Sequence, residues 1–178
     1  KLNVAGKHEA DYNKENNKLE FDLALCREEA VSNILREKVS LDMGQGIETA
    51  LAMVCAEELD ANWTQVKTGF GDQRGNYVDP TMGMHLTGGS NSIKNSYAQY
   101  RELGARTKAM LVASAAKQWG VAPASLNAQN GLVSGGGKSA GYGELFDAAM
   151  KEPIPEKVVL KNPKDFKIIG KPTGLKVS

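Results

Sequence analysis

The sequence predicts an α+β domain, a small mixed sheet packed against two main helices. Three observations lead there. Two long stretches carry apolar residues at helical spacing, about Glu48 to Leu59 and about Asn91 to Trp119. Several short stretches alternate apolar and polar residues as half-buried strands do. Glycine is abundant, at 19 residues, and clusters between these periodic segments, which marks shaped loops. Strands and helices alternate irregularly, which favours a layered α+β arrangement over a regular parallel sheet.

In chain order, residues 1–18 are polar and read as a loosely packed arm. Leu19, Phe21, Leu23 and Leu25 alternate with Glu20, Asp22 and Ala24, predicting a strand. Residues 27–36 fit a short helix or a loop. Lys38 to Asp42 alternates again and fits a strand entering Gly44-Gln45-Gly46. In the first main helix, Ile47, Leu51, Val54, Cys55 and Leu59 share a face. Glu57, Glu58 and Asp60 then burden its C-terminal end, Glu57 and Glu58 read as a solvated helix end, and Asp60-Ala61-Asn62 stops the helix. Trp63 to Phe70 alternates as a strand. A long irregular loop from Gly69 to Gly89 follows, of the kind that is often functional.

The second main helix has Ser90 placed as N-cap and Gly120 as C-terminal stop. Gly104 and its many alanines leave a thin surface suited to close packing. Leu126 to Gln129 and Leu132 to Ser134, joined by Asn130-Gly131, predict a hairpin with a type I′ turn. A glycine-rich bend, Gly135 to Gly143, leads into a short helix, about Tyr142 to Met150, ended by Pro153 and Pro155. The remainder reads as a linker.

Composition narrows the function. The 178 residues support one domain with a real core. With 22 basic and 21 acidic side chains, the charge gives no argument for nucleic acid or an anionic membrane. No apolar run approaches the roughly 20 residues that span a bilayer. The first residue is Lys1 and not Met, which suggests an incomplete start, and no signal peptide is visible. Cys26 and Cys55 lack metal-ligand spacing, and Cys55 reads as a buried free thiol. His8 and His85 are too few for a histidine-built metal site, so no metal ligand and no catalytic residue is assigned within the chain.

Two glycine-bearing loops open directly into helices: Gly44-Gln45-Gly46, and Thr87-Gly88-Gly89-Ser90 with Ser92 just beyond. Helix starts offer unpaired N–H groups and a positive dipole end, and glycine lets a ligand approach the main chain. If the helices pack side by side, both ends converge on one anionic ligand, with Gln45 as an amide donor. The same residues also serve as plain turns into helices. Two stronger-sounding motifs fail. Gly136-Gly137-Lys138-Ser139 ends like a phosphate loop, but Leu132 stands where the first glycine belongs. Gly88-Gly89-Ser90-Asn91-Ser92 lacks the last glycine of a nucleophile elbow, although His85, with Asp79 or Asp72, would suit a base. Trp63 and Trp119 read as packing residues, and Arg101 and Arg106 as solvated or salt-bridged.

The ordered set of segments resembles the molybdenum hydroxylases, relatives of xanthine dehydrogenase and aldehyde oxidase. Met43-Gly44-Gln45-Gly46-Ile47-Glu48-Thr49 with Ala56-Glu57-Glu58-Leu59 is similar to the family's MGQG and AEEL blocks. Thr87 to Ser92 resembles its TGGS segment, and Arg101-Glu102-Leu103-Gly104-Ala105 the block after it. Trp119-Gly120-Val121, Asn130-Gly131, Tyr142-Gly143-Glu144-Leu145 and Leu160-Lys161 to Gly170 continue in the same order. The nearest likeness is to the large (beta) chain of isoquinoline 1-oxidoreductase-like enzymes. It covers about Val39 to Gly170, and residues 1–38 do not match the pattern.

The resemblance implies an N-terminal arm at 1–38, a molybdopterin-binding part-domain at 39–152, and a linker or tail at 153–178. It implies molybdopterin in the complete enzyme, as the cytosine dinucleotide, and hydroxylation of an aldehyde or N-heterocycle with water-derived oxygen. It places Gln45, between Gly44 and Gly46, beside the molybdenum oxo ligand. It places Thr87, Gly88, Gly89, Ser90 and Ser92 toward the cofactor's phosphates. The implied partners are the remainder of the large subunit and a small iron–sulfur subunit. The family's catalytic glutamate has no counterpart here, so the chain is expected to be part of a longer polypeptide and inactive alone. The alternative is a non-catalytic α+β interaction domain that keeps the fold without the cofactor. The compartment stays open between bacterial cytoplasm and periplasm.

Overall fold

A computed structural model describes residues 42–68 and 87–176. The expected strands at 19–25 and 38–42 (apart from Asp42), the segment 27–36, Cys26, and the loop from 69 to 86 with Asp72, Asp79 and His85 lie outside the described residues. Within them the fold is α+β, with three α-helices and a three-stranded antiparallel sheet.

Helix α1 spans Ile47–Leu59 and is buried on almost every side. Its predicted face packs on the long helix α2, Asn91–Trp119: Ile47, Leu51, Val54 and Cys55 meet Tyr100 and Leu103. The opposite face is also covered, with Ala52 and Ala56 against Val66 and Ile168. Small alanines there allow chain to approach from both sides, and a single-face pattern does not register this. Cys55 is a buried free thiol.

Gly104 explains how closely the helices approach. A Cβ at this position would lie 2.3 Å from the Cys55 carbonyl oxygen. Further along, Leu59 joins Met110, Leu111, Ala115 and Val133 in the main core. Early residues of α1 therefore meet early residues of α2, and late meet late. The two helices run parallel.

Helix α2 ends as predicted. Gly120 adopts φ 67° and its N–H donates to the Ala116 carbonyl. Its start differs. Ser90 sits at φ 55° and makes no side-chain capping bond. A capping hydroxyl needs an extended backbone at the cap residue, and Ser90 is left-handed instead.

The sheet consists of β1 (Asn127–Gln129), β2 (Leu132–Gly135) and β3 (Lys138–Gly141), paired antiparallel in that order. Asn130 and Gly131, at φ 53° and 78°, form the predicted left-handed hairpin turn. The expected glycine-rich bend is a second hairpin, turning at Gly136 and Gly137 (φ 59° and 76°). Lys138-Ser139-Ala140-Gly141 has little strand propensity, so pairing and not local preference makes it a strand. Val133 is fully buried beneath α2. Helix α3, Tyr142–Ala149, follows directly, and the Tyr142 hydroxyl donates to the Leu59 carbonyl at 2.8 Å.

Two further expectations are corrected. Trp63 to Gln65 forms a 3-10 turn and not a strand, because the Asn62 side chain accepts the Thr64 N–H at 3.0 Å and closes a local turn. Glu57 and Glu58 are fully buried, not solvated. The segment from Lys161 folds back on α1 and supplies their partners. Glu57 accepts backbone N–H groups from Lys167 at 3.0 Å, Ile168 at 2.6 Å and Ile169 at 3.0 Å. Lys161 Nζ adds a bond to Glu57 at 3.0 Å. Glu58 receives Arg101 Nε at 2.7 Å and the Lys161 N–H at 3.0 Å. Arg101 and Arg106 are thus salt-bridged, to Glu58 and Glu102.

Candidate cofactor site at the paired helix starts

The parallel pairing puts both glycine loops at the same end of the α1/α2 layer. Gly104, opposite Cys55, lies thirteen residues beyond the start of α2, and Cys55 lies eight beyond the start of α1. At 1.5 Å per residue, α2 begins about 7–8 Å further out. The helix starts therefore form a step, with Gly44-Gln45-Gly46 on the lower tread and Thr87-Gly88-Gly89-Ser90 on the upper.

On the lower tread, Gly44 and Gly46 are left-handed, at φ 89° and 76°, and a Cβ at either would meet nothing within 4 Å. Glycine is needed there for backbone angle, and the space beside it is open. Asp42 organises the turn. Its Oδ1 accepts the Gly44 N–H at 2.8 Å and its Oδ2 the Glu48 N–H at 3.1 Å. The Glu48 and Gly44 N–H groups, helped by Gly46, hold the Asp42 carboxyl below the usual carboxylate range despite some desolvation. Asp42 therefore caps α1 and takes donors that the local pattern alone leaves for a ligand. Its position two residues before a glycine is the available signal, as an Asx-type turn. Gln45 is exposed, and its Oε1 accepts the Met43 N–H. This fixes the amide so that Nε2 is its donor end.

On the upper tread the local charge is more favourable to an anion. The first turn of α2 contains no acidic residue, and Ser90 does not spend its hydroxyl on the helix. Gly89 and Ser90 are exposed and left-handed, Thr87, Gly88 and Ser92 are half-buried, and the Gly88 carbonyl accepts the Asn91 N–H at 3.2 Å. Small side chains, hydroxyls and a positive helix end suit phosphate oxygens. The residues present therefore fit an elongated anionic cofactor, with an amide donor on one tread and hydroxyls on the other. Gly136-Gly137-Lys138-Ser139 enters a strand and not a helix, so it has no phosphate-loop geometry. Among the described residues, no group of three or more His, Cys, Asp or Glu side chains forms a metal site, and no helix is long and apolar enough to cross a membrane.

Residues 32–172 match the molybdopterin cofactor-binding domain family. The chain belongs to this family. This molybdopterin-binding domain is similar to parts of three much longer proteins. It is 34% identical over 117 residues to the membrane-bound aldehyde dehydrogenase [pyrroloquinoline-quinone] of Gluconacetobacter polyoxogenes, covering 66% of this chain and 14% of that protein. It is 36% identical over 123 residues to the beta subunit of isoquinoline 1-oxidoreductase from Brevundimonas diminuta, covering 66% and 15%. A nicotinate dehydrogenase subunit of Pseudomonas putida is 29% identical over 133 residues, covering 74% and 11%. The chain thus spans between 11% and 15% of the length of these relatives.

Proposed function

We propose that this molybdopterin-binding domain forms one wall of the cofactor site in an oxidoreductase that hydroxylates an aldehyde or N-heterocycle. The parallel helix starts support this most directly, because they put Gln45 and the Thr87–Ser92 segment on one end of the domain. When bound, molybdopterin supplies the redox chemistry of the hydroxylation. Gln45 donates from its amide toward the metal end of the cofactor, held in orientation by the Met43 N–H. Gly44 and Gly46 keep that approach open. Thr87, Gly88, Gly89, Ser90 and Ser92 hold the phosphate end, in the cytosine dinucleotide form, against the positive end of α2. The remainder of the large subunit closes the site, and a small iron–sulfur subunit takes the electrons. Turnover belongs to that whole assembly.

The test is the full-length protein purified with its partner subunit and assayed for molybdenum. Metal present with pterin supports the reading, and its absence favours a non-catalytic interaction domain. In the loaded enzyme, Gln45→Ala is expected to lower turnover about tenfold or more, as loss of a positioned donor does. The exposed site predicts an unchanged melting temperature. Undiminished turnover removes Gln45 from the site.

A further inference from the structure

We infer that Ser96 is an additional cofactor-holding residue, its buried hydroxyl donating to a phosphate oxygen of the group bound at the glycine loops. This rests on the cofactor reading above. Ser96 is 0% exposed, and its Oγ has no hydrogen-bond partner among the described residues. Buried hydroxyls are nearly always paired, so such a group needs a reason. Serine inside a helix commonly returns its proton to the carbonyl four residues back, and Ser96 does not do so with Ser92. The other buried serine of α2 behaves ordinarily, with Ser114 Oγ accepting from Gln118 at 3.3 Å.

The position of Ser96 supplies the reason. It shares a helix face with Tyr100 and Leu103, which pack against Ile47, Leu51 and Val54 of α1. One turn before Tyr100 in a parallel pair is one turn nearer the start of α1. The Cα–Cβ bond of a helical residue tilts toward the helix N-terminus, so the Ser96 hydroxyl leans toward the end that bears both glycine loops. By the alignment of Gly104 with Cys55 it lies level with Ile47, where the lower tread begins, and five residues in from Asn91, where the upper one begins. A hydroxyl offers one donor, and the positive end of α2 favours an anionic acceptor.

This predicts opposite effects in the two states of the protein. Without cofactor the unpaired hydroxyl is a burden, so Ser96→Ala should melt at the same or a higher temperature than wild type. With cofactor the hydroxyl is paired to a charged group, and its loss should speed cofactor release about tenfold. The experiment uses the full-length protein with its partner subunit, wild type and Ser96→Ala. Release of molybdenum and of fluorescent pterin is followed over time, and the cofactor-free forms are melted separately. Equal release rates overturn the assignment. So does a lower melting temperature of cofactor-free Ser96→Ala, which would mark a structural hydroxyl. Wild-type protein holding neither molybdenum nor pterin would overturn the cofactor reading itself, and the role of Ser96 with it.

Discussion

The two ends of the parallel α1/α2 pair treat the same problem in opposite ways. Each ends in backbone groups that its own helix cannot satisfy. At the C-terminal end of α1 the molecule is closed. Glu57 and Glu58 are fully buried, and residues 161–169 deliver three backbone N–H groups to Glu57 alone. At the N-terminal end it is open. Met43 is 70% exposed, Gly44, Gly46, Gly89 and Ser90 are left-handed, and Ser90 caps nothing. A closed end fixes the register of the helices. An open end leaves donors for a ligand, chiefly at the start of α2, since Asp42 already takes the Gly44 and Glu48 N–H groups at the start of α1. Rigidity at one end is what lets a loop at the other be held in place.

Removing Glu57 should have the largest effect on this contrast. Glu57→Ala leaves the buried Ile168 N–H without its acceptor and removes one acceptor from the Lys167 and Ile169 N–H groups and from Lys161, and should cost about 3 kcal/mol in chemical denaturation. A loss below about 1 kcal/mol would mean that the closed end is not a clamp. The same carboxylate sets a pH dependence. Burial pulls its pKa up, but the N–H groups of Ile168 and Lys167, with Lys161 and Ile169, outweigh burial and hold it below the usual range. A depressed folded pKa contributes stability above the unfolded value and loses it as pH falls through the folded one. Melting should therefore drop in the acid range below about pH 4.5 in wild type. Glu57→Gln should flatten that slope. Lys161 works in the other direction. Burial opposes its charge, but bonds to Asp60 and Glu57 win and raise its pKa, so its contribution is lost only as pH rises past its usual range.

Gly104 comes next, since it sets the distance between the helices on which both ends depend. Gly104→Ala forces a Cβ toward the Cys55 carbonyl and should cost about 1–3 kcal/mol. It should also weaken cofactor retention by moving one tread against the other. Wild-type retention at lowered stability would show that the open end does not depend on the helix spacing. The smallest effect belongs to Asp42. Asp42→Asn keeps an acceptor but removes the charge from a partly exposed cap. A slight fall in melting temperature is expected, with faster hydrogen exchange at Gly44 and Glu48. If exchange at those two amides does not change, Asp42 is not what holds the loop.

Much of this is legible in the chain. The two main helices are, because each repeats its apolar residues over three or more turns. So is the Asn130-Gly131 hairpin, because a left-handed pair of residues has few sequence solutions. The ordered blocks from Met43 to Gly170 carry the family. What stays hidden depends on residues distant in sequence. Lys138 to Gly141 becomes a strand only because β2 offers a partner. Glu57-Glu58 resembles a solvated terminus because the chain that covers it lies about a hundred residues later. Asp42 fits an alternating pattern with its neighbours, while its carboxylate closes a turn.

The sequence alone determined the local choices: helix, turn, glycine where the backbone turns left-handed, and membership of the molybdopterin-binding family. Those follow from short-range sterics and from residues read in order. Tertiary structure alone decided that α1 and α2 run parallel, and so put Gln45 and Thr87–Ser92 at one end. It also decided that the acidic pair closing α1 is buried and not solvated. Orientation and burial are settled by contacts between distant segments, and a local pattern does not encode which segment will arrive.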